Sequence, residues 1–125
     1  MAQGYLQHFG GDKVKVLSAG VEQHGLNRNA VEVMKEDGID ISHHTSNLVK
    51  EYNNESFDYV ITVCEDGDSA CPYFPAQKKN IHRGFPDPAK ATGSTEEVLT
   101  VFRGVRDDIK NYCRSLLQEL KIPVT

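Results

Sequence analysis

The chain has 125 residues, 38% of them hydrophobic and 26% charged, with a formal net charge of -4. That length fits one domain around one core, and the composition is ordinary for a soluble globular protein. The 14 basic residues are scattered, which argues against a nucleic-acid partner, and no apolar run approaches the roughly 20 residues of a membrane span. The N-terminus lacks a charged-then-apolar signal pattern. A cytoplasmic protein is therefore the default, and its three cysteines are expected to rest as thiols.

Met1, Tyr5, Leu6 and Phe9 recur at helical spacing, and Gly10-Gly11 stop the pattern. Lys13-Val14-Lys15-Val16-Leu17 alternates with period two and predicts a strand near a sheet edge, with Ser18-Ala19-Gly20 as the turn after it. Asn27 can cap a helix from Arg28 to about Asp37, with Ala30, Val31 and Met34 inward and Gly38 as its stop. Ile39-Asp40-Ile41 is a short extended link, and a short helix is expected from Asn47 to about Tyr52.

Val60-Ile61-Thr62-Val63 is a β-branched run that reads as a buried strand ending at Cys64. Lys79-Asn80-Ile81-His82 is a second short strand. Gly84-Phe85-Pro86-Asp87-Pro88 cannot be regular structure, because prolines bracket Asp87; it is a rigid loop that displays this residue. Ser94 and Glu97 have capping-box spacing and open the last helix. Val98, Val101, Phe102, Val105, Ile109, Tyr112, Cys113, Leu116 and Leu120 form its apolar stripe, and the helix ends before Pro123. Strands alternating with helices predict an α/β class with a mostly parallel sheet.

The chemistry-bearing residues are few. Cys113 lies on the apolar stripe and reads as a small core residue. Cys64 sits at the C-terminal end of a strand, where open α/β sheets place their chemistry. Cys71 follows after the acidic, glycine-containing segment Glu65-Asp66-Gly67-Asp68-Ser69-Ala70. On a helix the pair would stand about 10.5 Å apart along the axis, beyond the roughly 7 Å Cα reach of a disulfide. They are either two unrelated buried thiols or a pair that bonds only when the segment loops out. Neighbouring carboxylates raise a thiol pKa and keep it unreactive at rest. Asp87 is either a turn residue or a general acid held over a pocket. His43 and His44 adjoin a helix start and are expected to hydrogen-bond locally, while His8, His24 and His82 lack metal-ligand spacing.

Several of these pieces occur together in one known order. They are Ser18-Ala19-Gly20, the segment from Glu32 to Ser42 with His44-Thr45-Ser46, the strand with Cys64 and Cys71-Pro72, the loop around Asp87, and Phe102-Arg103-Gly104-Val105-Arg106-Asp107. In that order the chain resembles the thioredoxin-coupled arsenate reductases, from Met1 to about Leu120. The resemblance implies the low-molecular-weight tyrosine phosphatase fold, a three-layer α/β sandwich with a mostly parallel sheet. It also implies a relay. A first thiolate in an oxyanion loop attacks arsenate, and Cys64 attacks that sulfur as arsenite leaves. Cys71 then attacks the resulting disulfide, thioredoxin reduces the Cys64–Cys71 bond, and Asp87 protonates the leaving oxygen. No bound cofactor is implied.

The departure from that family is large. Six residues beyond Cys64, Cys71 and Cys113 stand Ala70, Gln77 and Glu119, so no C-x-x-x-x-x-R loop is present. Met1 aligns within the family's first helix, so residues 1–125 are expected to form a single, N-terminally truncated domain without its first strand, an interior one. Weak stability or self-association is the expected consequence. Gln3 and Asn47 replace potassium-binding carboxylates, which predicts no bound metal. The expectation is an arsenate reductase family protein that keeps the Cys64/Cys71 relay and is inactive as given. A non-catalytic binding or dimerisation module is the alternative. A tyrosine phosphatase is disfavoured, because that chemistry needs no second and third cysteine.

Overall fold

The computed structural model describes residues 1–19, 27–44, 47–52, 54–64 and 74–123. Its elements, in order, are α1 (Ala2–Gly10), α2 (Arg28–Glu36), β1 (Tyr59–Thr62), β2 (Lys79–His82) and α3 (Thr95–Glu119), with short 3-10 turns at Gly11–Lys13, Val49–Tyr52 and Pro88–Lys90. β1 and β2 are parallel, in register from Tyr59 opposite Lys79 to Thr62 opposite His82.

Local chemistry sets the helix ends. The Asn27 side chain accepts from the backbone N–H groups of Asn29 and Ala30, which α2 would otherwise leave unpaired. At its other end, the Gly38 N–H donates to Lys35 O and the Ile39 N–H to Met34 O. This is a Schellman closure, and it needs the positive φ of 79° that Gly38 supplies. The Ser94 side chain accepts from Glu97 N and opens α3. The short helix expected from Asn47 is a 3-10 turn at Val49–Tyr52.

The buried core is helical. Tyr5 and Phe9 of α1, Met34 of α2, and Val105, Ile109, Cys113 and Leu117 of α3 close around Ile39, Ile41 and Phe85. Two inward residues were not on the expected lists, Val33 and Leu117, while Val101 lies at the stripe's edge and is 42% exposed. Ion pairs fasten α2 to α3. Arg103 grips Glu36 with both Nε and Nη2, at 3.0 and 2.9 Å, and Arg106 donates to Val33 O at 2.9 Å.

Two expectations fail. Residues 13–17 are not a strand. Lys13 ends a 3-10 turn, and residues 14–19 run on with no strand partner among the described residues. Side-chain amides hold part of this stretch instead: Gln7 Nε2 donates to Val14 O at 3.0 Å, and Gln7 Oε1 accepts from Val16 N at 3.2 Å. Gln3 Nε2 donates to Val16 O at 3.3 Å. Nor is β1 fully buried; all four of its residues are half-buried. A cleft lies between residues 14–19 and β1.

One further tie carries a prediction. The Tyr5 hydroxyl donates to Asp37 at 2.7 Å, and Lys110 Nζ lies 3.0 Å from the same carboxylate. The Tyr5 bond, then Lys110, holds the Asp37 carboxyl below its ordinary 3.8. Asp37→Ala leaves a buried tyrosine hydroxyl unpaired and is expected to cost about 1–3 kcal/mol at pH 7. A carboxylate depressed in the folded state stabilises above its unfolded pKa, and loses that effect as pH falls through the folded one. The gap between wild type and variant in urea melts should therefore narrow below pH 3.8. A gap that stays constant down to full protonation would refute this.

Candidate functional site

Parallel strands present their C-terminal ends on one edge, and Cys64 and the loop of Asp87 follow those ends. The pairing continues past β1: Arg83 N donates to Thr62 O at 2.9 Å, and Phe85 N to Val63 O at 3.4 Å. Cys64 follows Val63 directly, and Asp87 lies two residues beyond Phe85. The fold thus carries both residues to the same end of the sheet. Phe85 is buried and meets Tyr112 of α3 edge-on at 5.8 Å, while the Arg83 guanidinium lies over the Phe85 ring at 4.6 Å. These contacts fix the proline loop against α3. Asp87 begins the 3-10 turn at Pro88–Lys90, and its carboxylate accepts from Ala89 N at 3.0 Å.

Cys64 is disulfide-bonded, not the resting thiol expected from composition. Cys71 and residues 65–70 lie outside the described residues, as do Gly20, Thr45 and Ser46. Cys113 is a free thiol, 1% exposed, with only a weak 3.8 Å contact to Ala2 O. Burial pushes its pKa up to about 12, so it is inert near neutral pH. The core reading of Cys113 therefore agrees with its surroundings.

Sequence reasoning missed one pair at this end. Thr62 Oγ1 and His82 Nδ1 lie 2.7 Å apart across the two strands, one pleat before Cys64. Only the register brings them together, and the chain carries no local signal for it. His43 and His44 meet edge-on at 4.6 Å, and burial lowers the His44 pKa. Gln3 bonds to Val16 and Ser18, and Asn47 donates to Glu51 at 3.5 Å. Among the described residues no group of three or more His, Cys, Asp or Glu is arranged to hold a metal ion. No helix among them is long and apolar enough to cross a membrane.

The described strands form a parallel pair, with the disulfide-bonded Cys64 and the loop of Asp87 at its C-terminal edge. The chain belongs to the low molecular weight phosphotyrosine protein phosphatase family, whose profile matches residues 1–124. An arsenate reductase of Bacillus subtilis (strain 168) is 48% identical over 111 residues, spanning 89% of this chain and 80% of that protein. An arsenate reductase of Shouchella clausii (strain KSM-K16) is 50% identical over 109 residues, spanning 87% and 78%. A solved structure described as an arsenate reductase in the phosphate binding state superposes with a TM-score of 0.78 at 30% identity, covering 94% of this chain and 86% of that one.

Proposed function

We propose that this chain carries the resolving and recycling steps of arsenate reduction, with Cys64, Cys71 and Asp87 as its working residues. The observation that carries the reading is the contrast between the cysteines: Cys64 is oxidised at the sheet's C-terminal end, while Cys113 is buried and protonated. The relatives named arsenate reductase support the substrate.

In the reaction a first thiolate becomes bonded to arsenic, and Asp87 gives the departing oxygen its proton. Cys64 thiolate then attacks the sulfur of that adduct. A sulfur–sulfur bond forms and the sulfur–arsenic bond breaks. Its electron pair stays on arsenic, which leaves reduced by two electrons. Cys71 thiolate attacks Cys64 next, frees the first thiolate and closes the Cys64–Cys71 disulfide. Thioredoxin's dithiol supplies the two electrons that reopen it. No bound cofactor enters these steps, and a reducing cytoplasm suits them. No residue of the chain matches the first nucleophile, so the first thiolate must come from elsewhere.

An aromatic disulfide such as 5,5′-dithiobis(2-nitrobenzoate) can stand in for the adduct. The reduced chain should release two equivalents of the coloured thiolate: one when the Cys64 thiolate attacks the reagent and forms a mixed disulfide, one when Cys71 attacks Cys64 and resolves it. Mass spectrometry should then find a Cys64–Cys71 bridge, reversible by thioredoxin, and an unmodified Cys113. Cys71→Ser should stop at one equivalent with a stable adduct on Cys64. A bridge to Cys113, or a wild-type adduct that never resolves, would remove the reading.

A further inference from the structure

We infer that His82, held by Thr62, is the proton-accepting partner of Cys64: in the reduced chain the Cys64 thiol gives its proton to His82 Nε2, and the two stand as a thiolate–imidazolium pair. The inference rests on the part given to Cys64 above, which requires a thiolate. The carboxylates of Glu65, Asp66 and Asp68, which follow Cys64 in the sequence, oppose that ion. A cation is needed to offset them, and the strand register supplies a candidate. Thr62 and His82 stand opposite one another in the last rung of the parallel pair, and their side chains meet at 2.7 Å. Pairing runs on through Val63, so Cys64 follows two residues beyond Thr62, about 7 Å along the strand and on the same face. An imidazole and a thiol so placed can meet directly or through one water. The other face carries Arg83, whose guanidinium lies over the rings of Phe85 and Tyr112 at 4.6 and 5.9 Å. Among the described residues, the remaining charged groups of the two strands and their flanking loops are Glu55, Asp58 and Lys78 ahead of them, Lys79 on the face of Arg83, and Asp87 and Lys90 in the proline loop.

Thr62 is the positioning residue. Its Oγ1 carries one proton and has two acceptors, His82 Nδ1 at 2.7 Å and Ile81 O at 3.5 Å. When the hydroxyl turns its proton to Ile81 O, its oxygen accepts from His82 Nδ1–H, and that tautomer makes Nε2 the acceptor. Once Nε2 has taken the thiol proton, the same bond from Nδ1 becomes charge-assisted and stronger. With Cys64 in a disulfide there is no thiol proton to receive, and the hydroxyl can donate to Nδ1 instead. The pair thus keeps its bond in either charge state, and histidine is the side chain suited to take and return a proton near neutral pH. The transfer moves one proton and no electrons: the S–H bond breaks and Nε2–H forms. The thiolate's electron pair then makes the new sulfur–sulfur bond, and the group that leaves takes the pair of the bond that breaks. When an external dithiol reopens the Cys64 disulfide, Cys64 departs with that bond's electron pair, and one of the dithiol's two protons goes to His82. An imidazolium is not an oxyanion cradle, so the pair does not supply the first attack on arsenic.

The test begins with the wild-type chain and needs no variant. A thiolate beside His82 favours the imidazolium, whereas an uncharged disulfide does not. The His82 ring resonances are followed by NMR against pH in the oxidised and in the reduced chain. In the reduced chain the imidazole should keep its proton down to a proton concentration at least tenfold lower than in the oxidised one. Equal midpoints in the two forms would overturn the inference. Alkylation of Cys64 by iodoacetamide, located by mass spectrometry, gives a second readout. At pH 7, His82→Ala should slow it at least tenfold, and the gap should close as the pH rises above the ordinary thiol range near about 8.5. Thr62→Val removes the hydroxyl and keeps the shape, and should slow it about threefold with the same closing of the gap. Rates equal to wild type in His82→Ala would overturn the inference, and a Thr62→Val chain indistinguishable from wild type would overturn the part given to Thr62. A gap that persists unchanged to high pH would mean a merely structural role and would overturn it too. The comparison of redox forms stands on the wild-type chain whether or not a variant folds. Neither readout uses arsenate, thioredoxin or the attack by Cys71. A relay that fails to close therefore leaves this inference standing, and equal midpoints would leave the two-equivalent release standing.

Discussion

Mixed with arsenate, thioredoxin, thioredoxin reductase and NADPH, the 125-residue chain is expected to consume NADPH no faster than a control without it. The relay described above begins with a thiolate attack on arsenic, and that attack needs an activated cysteine and an oxyanion cradle. None of the three cysteines has an arginine six residues on. Cys113 cannot substitute, since burial holds its thiol protonated far above neutral pH. Cys64 sits on the sheet's C-terminal edge, and the function proposed above gives it the second sulfur's part, not the first. A fusion that restores a strand and a C-x-x-x-x-x-R loop ahead of Met1 should turn over, and Cys64→Ser in that fusion should abolish steady-state turnover. Arsenate-dependent NADPH loss by the chain alone, well above control, would overturn this expectation. It would also show that one of the three cysteines has been activated by means the fold does not display.

What the sequence disclosed follows from which interactions are local. Asn27, Gly38 and Ser94 act on backbone groups within a few residues, so their caps were readable one position at a time. The stripe of α3 was readable because a helix 25 residues long repeats its signal many times. Prolines on both sides of Asp87 excluded regular structure without any partner. Residues 13–17 show the opposite case. Their alternation is a strand pattern, but a strand exists only with a partner edge, and Gln3 and Gln7 satisfy much of this backbone instead. The Thr62–His82 pair, the Arg103–Glu36 clasp and the Tyr5–Asp37 bond join residues far apart in the chain, and composition carries no trace of them. Cys64 lies at the end of its strand as expected, and parallel pairing of β1 with β2 carries the loop of Asp87 to the same sheet end.

The contact of Gly4 with Met34, Ile39 and Ile41 offers the sharpest test of the packing. Met34 is fully buried and belongs to the cluster that includes Tyr5, Ile39 and Ile41. Met34→Ala is expected to cost about 2–5 kcal/mol, a lost transfer contribution plus a cavity. That is a large part of the roughly 5–15 kcal/mol that holds a typical domain together. Gly4 faces the same spot from α1. A Cβ there would stand 2.9 Å from Ile41 Cγ2, 3.0 Å from Met34 Cε and 3.3 Å from Ile39 Cγ2. Alanine improves on glycine in a helix by about 1 kcal/mol, but overpacking a tight core costs about 1–3. Met34 Cε ends a flexible side chain and can move aside, whereas β-branched Ile41 is stiff. Gly4→Ala should therefore be destabilising by about 1 kcal/mol despite its better propensity. Combined, the two changes should cost less than their sum, because the shortened Met34 removes one of the clashes while that with Ile41 persists. Urea melts of the four proteins, with equal m-values, would measure this coupling. A stabilised Gly4→Ala, or a Met34→Ala within about 0.5 kcal/mol of wild type, would show that Gly4 of α1 does not pack against Met34, Ile39 and Ile41 as described.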